Sequence, residues 1–220
     1  VAAAQAIVGA DAIKHRSFIQ AHGSSTPQNR ITESMIFDKV AKGFGIDNWP
    51  VTAVKAFVGH PLGPASGDQL ANTLGVFADG IIPGIKTTEK VADDVFDDHL
   101  DILLQDKTAA MDVAFLNSKG FGGNNATATV LSPRQVESML QQRYGADAFV
   151  RYATKRESVR ATAKAYDDAA LQGDLRIIYN FGSGIIEEHE ISVSDTALSL
   201  DRFANPCLLY TSPSPRDKCR

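Results

Sequence analysis

A chain of 220 residues with 44% hydrophobic residues is long enough to bury a substantial core, and its formal charge of −4 lacks the basic excess that nucleic acid or an anionic membrane surface would call for. No apolar run approaches the ~20 residues of a bilayer span, and no basic start followed by an apolar stretch marks a secretory leader. A cytoplasmic protein is expected, with no nucleic-acid or membrane partner.

An Ala-rich opening predicts a helix over 1–12, leading into a strand over 15–21. A second helix is expected from about 32 to 42, stopped by Gly43 and Gly45. Residues 51–54 read as a short strand that feeds a loop over 55–63. Pro64 suits the first turn of the next helix, where its missing N–H costs nothing; Leu70, Leu74 and Phe77 form an apolar stripe along it, and Gly80 ends it. Two strands, 113–116 and 126–131, flank a Gly-rich turn. This alternation of strands and helices argues a layered α/β unit.

A short helix and a longer one are expected next. Phe149, Tyr152, Val159, Ala163, Tyr166 and Ala170 share one face of the longer helix. Arg151, Lys155, Arg156, Arg160 and Lys164 fill the rest, which reads as a solvated face in preference to a docking surface for an acidic partner. A hairpin is expected between 175–181 and 185–191, around Gly182-Ser-Gly184. Residues 207–217, Cys-Leu-Leu-Tyr-Thr-Ser-Pro-Ser-Pro-Arg-Asp, resemble a translated sequencing adapter. A non-native tail over 207–220 is therefore expected, and with Val1 in place of an initiator Met the natural sequence is expected to be cut at both ends. The only cysteines, Cys207 and Cys219, fall in that tail, which leaves neither a disulfide nor a Cys-rich metal site.

Three segments carry chemistry. Ala21-His22-Gly23-Ser24-Ser25-Thr26-Pro27 and Lys55-Ala-Phe-Val-Gly-His60-Pro-Leu-Gly63 each set a histidine in a Gly-rich turn, and Lys55 stands five residues ahead of His60. Asn117-Ser118-Lys119-Gly120-Phe121-Gly122-Gly123-Asn124-Asn125 follows. Neutral imidazoles suit a developing oxyanion, because each presents one N–H while uncharged at pH 7. Taken singly, each histidine reads equally well as a hydrogen-bonded structural residue, Lys55 as a surface charge and the Gly-rich segment as a turn. The crowd of Asp93, Asp94, Asp97, Asp98, His99 and Asp101 lacks calcium-loop spacing and reads as a solvated acidic stretch. No phosphate-loop ending follows the Gly-rich turn, and His15 and His189 have no evident partner.

In this order and spacing the three segments resemble the C-terminal half of a β-ketoacyl-acyl-carrier-protein synthase, over roughly 1–132. The resemblance implies an α/β fold, the C-terminal half of a thiolase-like layered α/β/α/β/α sandwich, with an α+β extension over 133–206. It implies a decarboxylative Claisen condensation of an acyl thioester with malonyl-acyl carrier protein, in fatty-acid or polyketide synthesis. It implies no metal and no resident cofactor, since the phosphopantetheine arm arrives with the carrier protein. The nucleophilic cysteine would lie in a missing N-terminal half, the full-length enzyme would be a homodimer, and this chain alone would be inactive.

Residue by residue, the resemblance makes His22 and His60 the oxyanion donors and joins Lys55 to Glu33, eleven residues after His22, in an orienting salt bridge. For His60, the positive end of the following helix and a nearby Lys55 favour a neutral ring. Ser24 and Thr26 would bond the amides of the phosphopantetheine arm. Phe121 would be the gating aromatic whose N–H completes an oxyanion hole, and Gly120, Gly122 and Gly123 would let backbone approach the thioester. Arg30, Pro64, Ser66, Lys119 and Asn124 depart from the family pattern and imply a divergent branch. A thiolase is the first rival, because Gly59-His60-Pro61-Leu62-Gly63 also resembles a thiolase turn; thiolases, however, place a reactive cysteine where Phe121 stands. A non-catalytic partner resembling a chain-length factor is the second.

Overall fold

The computed structural model describes residues 1–120, 122–175, 181–200 and 202, and the backbone of 207–208. Two compact units divide the chain, Val1–Thr154 and Lys155–Arg220.

The first unit opens with α1 (Ala2–Val8) and α2 (Ala10–His15), then β1 (Ser17–Gln20) and α3 (Pro27–Phe44). β2 (Trp49–Thr52), the single turn α4 (Lys55–Val58) and α5 (Ala65–Asp79) follow. Next come the short strands β3 (Ile81–Ile82), β4 (Leu100–Ile102) and β5 (Lys107–Thr108), then β6 (Val113–Lys119) and β7 (Asn125–Leu131). α6 (Pro133–Tyr144) and α7 (Ala146–Leu171) complete the helices. The expected opening helix is two helices, because Gly9 takes φ 84, a left-handed conformation that interrupts the helical path. α3 begins earlier than expected: Pro27 sits in its first turn behind Thr26, and the chain runs through Gly43 before Gly45 ends it.

One five-stranded sheet, ordered β4-β2-β1-β6-β7, organises this unit. β1 runs parallel to both β2 and β6, β2 is parallel to β4, and only β7 is antiparallel. A central parallel strand is covered on both faces, and all four residues of β1 are buried. Side chains alternate between two cores. Ile19, Val113 and Phe115 pack with Phe37, Ala41, Ile46 and Trp49 on one side. Phe18, Ala114 and Leu116 pack with Val76 and Ile82 on the other. Within the unit, the sheet thus lies between an α3 layer and an α5 layer.

Of the Leu70–Leu74–Phe77 stripe only Phe77 faces that core, its ring edge to face with Phe18 at 6.2 Å. Leu70 and Leu74 are 41% and 54% exposed, while Gln69, Thr73 and Val76 are buried. Residues 69, 73 and 76 keep the same helical spacing one position earlier, and the backbone carbonyls behind the sheet ends demand the polar member of that row. The face expected on α7 is not buried either: Tyr152, Val159 and Tyr166 are exposed. Buried Asp112 ties the start of α6 to the N-terminal helices, its carboxylate accepting from Arg16 and Arg134.

In the second unit, the second arm of the expected hairpin is not a strand over 185–190. The hairpin's first arm lies largely outside the described residues, and 188–190 of its second arm form a 3-10 turn. The strands are β8 (Ile191–Val193), β9 (Ala197–Leu200) and β10 (Cys207–Leu208), antiparallel in the order β10-β9-β8. Arg202 secures the turn through both oxygens of Glu190 and the carbonyl of Ile185.

Candidate active site

The carboxyl ends of neighbouring parallel strands are where α/β sheets hold ligands, and here the ends of β2, β1 and β6 bring the three sequence segments together. β1 delivers His22, β2 delivers Lys55, and β6 delivers Asn117, Ser118 and Lys119. The turn at His22 is tight: Gly23 has φ 54, and a Cβ on it would stand 2.6 Å from the Cβ of Ala53. Only glycine fits there.

His22 is 7% exposed. Its Nδ1 accepts the Lys119 backbone N–H at 3.2 Å and lies 3.1 Å from Lys55 Nζ. A backbone amide can only donate, so Nδ1 is the acceptor and the ring proton sits on Nε2. His60 repeats the arrangement locally, its Nδ1 accepting the Leu62 N–H at 3.2 Å. The two rings stand edge to face with centroids 5.1 Å apart. A cleft of about 240 Å³ adjoins both, bounded by Ser66, Ser118, Lys119, Gly120 and Asn124. Each imidazole lining that cleft therefore carries its one N–H on Nε2.

Lys55 engages His22 directly: its ammonium donates to the His22 carbonyl as well as facing Nδ1. Burial pushes the His22 pKa down, and the Lys55 charge adds to that shift against the opposing pull of Glu33. Lys55 is itself buried, and burial lowers its pKa against the attraction of Glu33 and Asp68.

The expected Lys55–Glu33 salt bridge is not formed. Glu33 Oε1 accepts the His22 N–H at 2.7 Å and Asn117 Nδ2 at 2.7 Å, and Oε2 accepts the Gly23 N–H at 3.1 Å and Asn29 Nδ2 at 3.0 Å. Four N–H donors satisfy both oxygens, so the carboxylate fixes the backbone of the His22 turn and leaves Lys55 to the carbonyl of that turn.

Ser24 is half-buried and Thr26 exposed, and among the described residues neither hydroxyl is engaged in a hydrogen bond. Ser24 borders a second, larger cavity of about 570 Å³, walled by Phe37, Val51, Val91 and Ile102 and reaching Lys55 and His60. The Gly120 N–H closes the Gly-rich turn on the Asn124 carbonyl at 2.7 Å, and Gly122 and Gly123 take φ 80 and 82. Phe121 lies outside the described residues. Lys119 directs its ammonium to Thr32 Oγ1 at 2.8 Å.

Arg30 forms a two-point contact with Asp94 at 2.7 and 2.8 Å. In the same acidic stretch Asp93 lies near Lys90, Asp101 pairs with Lys107, and His99 pairs with Asp38. Among the described residues no group of three or more His, Cys, Asp or Glu side chains is arranged to hold a metal ion. No described helix is long and apolar enough to cross a membrane.

Two contributors have no role assigned by the sequence, although the first, Asn117, opens the third motif segment. Asn117 links the Glu33 carboxylate to Thr127, whose hydroxyl donates to Asn117 Oδ1 at 3.0 Å. Gln69, wholly buried in α5, donates to the carbonyls of Gln20, Ala21 and Asn117. The available signal was the polar row 69–73 sharing a helical face with Val76, where the larger leucines beside it drew the eye.

Residues 2–88 match the family described as "Beta-ketoacyl synthase, C-terminal domain". Over 214 residues the chain is 58% identical to the β-ketoacyl-[acyl-carrier-protein] synthase FabY of Pseudomonas aeruginosa, covering 96% of this chain and 33% of that protein. Over 111 residues it is 35% identical to the 3-oxoacyl-[acyl-carrier-protein] synthase 2 of Synechocystis sp., covering 50% of this chain and 26% of that one. The crystal structure of the ketosynthase FabY from P. aeruginosa superimposes with a TM-score of 0.79 at 55% identity, across 99% of this chain and 34% of that chain. The chain thus spans about a third or less of the length of these relatives. Residues 2–88 are similar to a β-ketoacyl synthase C-terminal domain, and the chain shares the α/β fold of the ketosynthase FabY and aligns with about a third of its length.

Proposed function

We propose that this chain supplies the enolate-stabilising part of a β-ketoacyl-acyl-carrier-protein synthase, an acyltransferase that joins an acyl thioester to malonyl-acyl carrier protein. The observation that carries the reading is the pair of imidazoles 5.1 Å apart, each with Nδ1 occupied by a backbone N–H and its one N–H on Nε2. Loss of carbon dioxide from the malonyl group breaks a carbon–carbon bond. Its electron pair becomes an enolate whose charge rests on the thioester oxygen. Two neutral N–H donors stabilise that charge without giving up a proton. Lys55 and burial favour the neutral form at His22. The enolate carbon then attacks the acyl thioester carbonyl. The bond to sulfur breaks, the thiolate leaves, and a 3-oxoacyl-carrier protein results.

The acyl group is held, in this reading, on a cysteine in the part of the synthase outside this chain, so the chain alone is inactive. Ser24 and Thr26 receive the amides of the phosphopantetheine arm, which enters with the carrier protein and makes a resident cofactor unnecessary. Gly120, Gly122 and Gly123, with the Phe121 N–H, open the backbone beside the thioester. The complete enzyme is a homodimer of the cytoplasm. The test joins this chain to the remainder of a synthase and follows malonyl-carrier-protein decarboxylation. Replacing His22 or His60 by Ala is expected to slow it by about 10²–10³, the scale of a lost ~3 kcal/mol oxyanion contact. Near-normal decarboxylation in either variant defeats the assignment, and sustained condensation by the 220-residue chain alone defeats the split site.

A further inference from the structure

The parallel ladder between β1 and β6 ends at the Gln20–Leu116 pair. Beyond it β1 leaves the sheet toward His22, while β6 parts from β1 and stays paired with β7 alone as far as Lys119. The proton assignment of His22 nevertheless depends on these two exits holding one separation, because Nδ1 must meet the Lys119 N–H at 3.2 Å. No strand pairing maintains that distance.

Gln69 occupies the gap. From α5 its Nε2 lies 3.2, 2.9 and 3.0 Å from the carbonyl oxygens of Gln20, Ala21 and Asn117, so a single amide group bridges the end of the ladder on β1 and the first residue past it on each strand. Its orientation is determined: three carbonyls can be met only by a donor, and Oε1 accepts from Ser118 Oγ at 3.2 Å. Ser118 in turn shares a hydrogen bond with Ser66 Oγ at 2.8 Å, tying the start of α5 to the same exit. Gln69 is 0% exposed and touches neither imidazole, so its effect must pass through the backbone.

We propose that Gln69 is a positioning residue, a side-chain clamp that replaces the missing ladder rung between the exits of β1 and β6. Through that clamp it holds His22 Nδ1 on the Lys119 N–H and presents Nε2–H to the cleft. The consequence for catalysis rests on the reading of His22 as an oxyanion donor; the clamp itself does not.

A tautomer measurement on the chain labelled with 15N at histidine tests the clamp without substrate. Two-bond proton–nitrogen spectra should show His22 as a single Nε2–H tautomer with Nδ1 a hydrogen-bonded acceptor. In Gln69→Glu a carboxylate faces three carbonyl oxygens and the bridge is lost. The His22 Nδ1 resonance should then shift toward the average of the two tautomers, while His15 and His99 stay where they were. Should that variant not fold, Gln69→Met removes the donor at similar length without a charge and is judged by the same resonance. An unchanged single Nε2–H tautomer in a folded variant, or an Nδ1–H tautomer in the parent chain, overturns the proposal. Normal decarboxylation after His22→Ala with the tautomer shift intact would instead overturn the functional reading and leave the clamp standing.

Discussion

Glu33 offers the sharpest perturbation, because its four hydrogen bonds assign it to the backbone of the His22 turn and not to Lys55. Glu33→Ala would orphan the N–H groups of His22 and Gly23 and the amides of Asn117 and Asn29. Asn29 is half-buried and can turn to water, whereas His22 and Asn117 are buried and cannot. At about 1–3 kcal/mol for each buried donor left unsatisfied, two to three such groups put the loss at about 3–6 kcal/mol. That is a large share of the ~5–15 kcal/mol that holds a domain together. Glu33→Gln should lose less, about 1–3 kcal/mol. Its carbonyl oxygen can keep the His22 and Asn117 donors, and Asn29 can present its own oxygen to the new amide, so Gly23 is the one strict orphan. Urea unfolding monitored at Trp49 measures both, with Ala costing more than Gln. The companion cycle with Lys55→Met should give a modest coupling, since the two charges attract without touching. Equal losses for Gln and Ala, or a coupling of ~3–5 kcal/mol typical of a broken buried ion pair, would refute the geometry described for Glu33.

Lys55→Met should raise the His22 titration midpoint without restoring it fully, because burial, the larger cause of the downward shift, remains; proton NMR of the ring reads it directly. With the folded pKa lowered, the unfolded chain binds the extra proton first. The His22 contribution to stability is then complete above the free imidazole value near ~6.5 and is lost as pH falls below it toward the folded pKa, and Lys55→Met should narrow that window. Gly23→Ala should cost about 2–4 kcal/mol, combining a left-handed backbone with a Cβ driven into Ala53, and the unfolding midpoint in urea gives the value. Asp112→Asn should cost about 1–3 kcal/mol, less than a fully buried pair because Arg16 and Arg134 both reach water, and thermal unfolding should show it above the usual Asp range and not in strong acid. Burial pushes that carboxyl up, yet the two guanidiniums hold it below its ordinary value, so its contribution is present at neutral pH and vanishes as pH falls through the lowered pKa.

The three segments around His22, Lys55–His60 and Asn117–Asn125 were legible in the sequence because their residue types are unusual together and their order along the chain is fixed. Most elements of the first unit were legible for a related reason: β6 opens with four apolar residues and runs up to Gly120, and α3 and α5 stop at Gly45 and Gly80, because local backbone chemistry dictates where such elements end. Gly9 shows the limit, since nothing local tells a glycine that continues a helix from one that breaks it. Contacts between distant residues were beyond local reading. Glu33 and Lys55 are opposite charges suited to a bridge, but which donors surround a carboxylate depends on where Asn29, Asn117 and the backbone of His22 arrive in space. The burial of Gln69 in place of Leu70 follows from the same cause: the sheet ends behind α5 expose carbonyls that only a donor can satisfy, and that demand exists only after β1 and β6 have paired. Sequence therefore decided which groups were available, while the tertiary structure decided which atom of each faces which. The His22 imidazole becomes an Nε2–H donor only when a backbone N–H from 97 residues away reaches its other nitrogen.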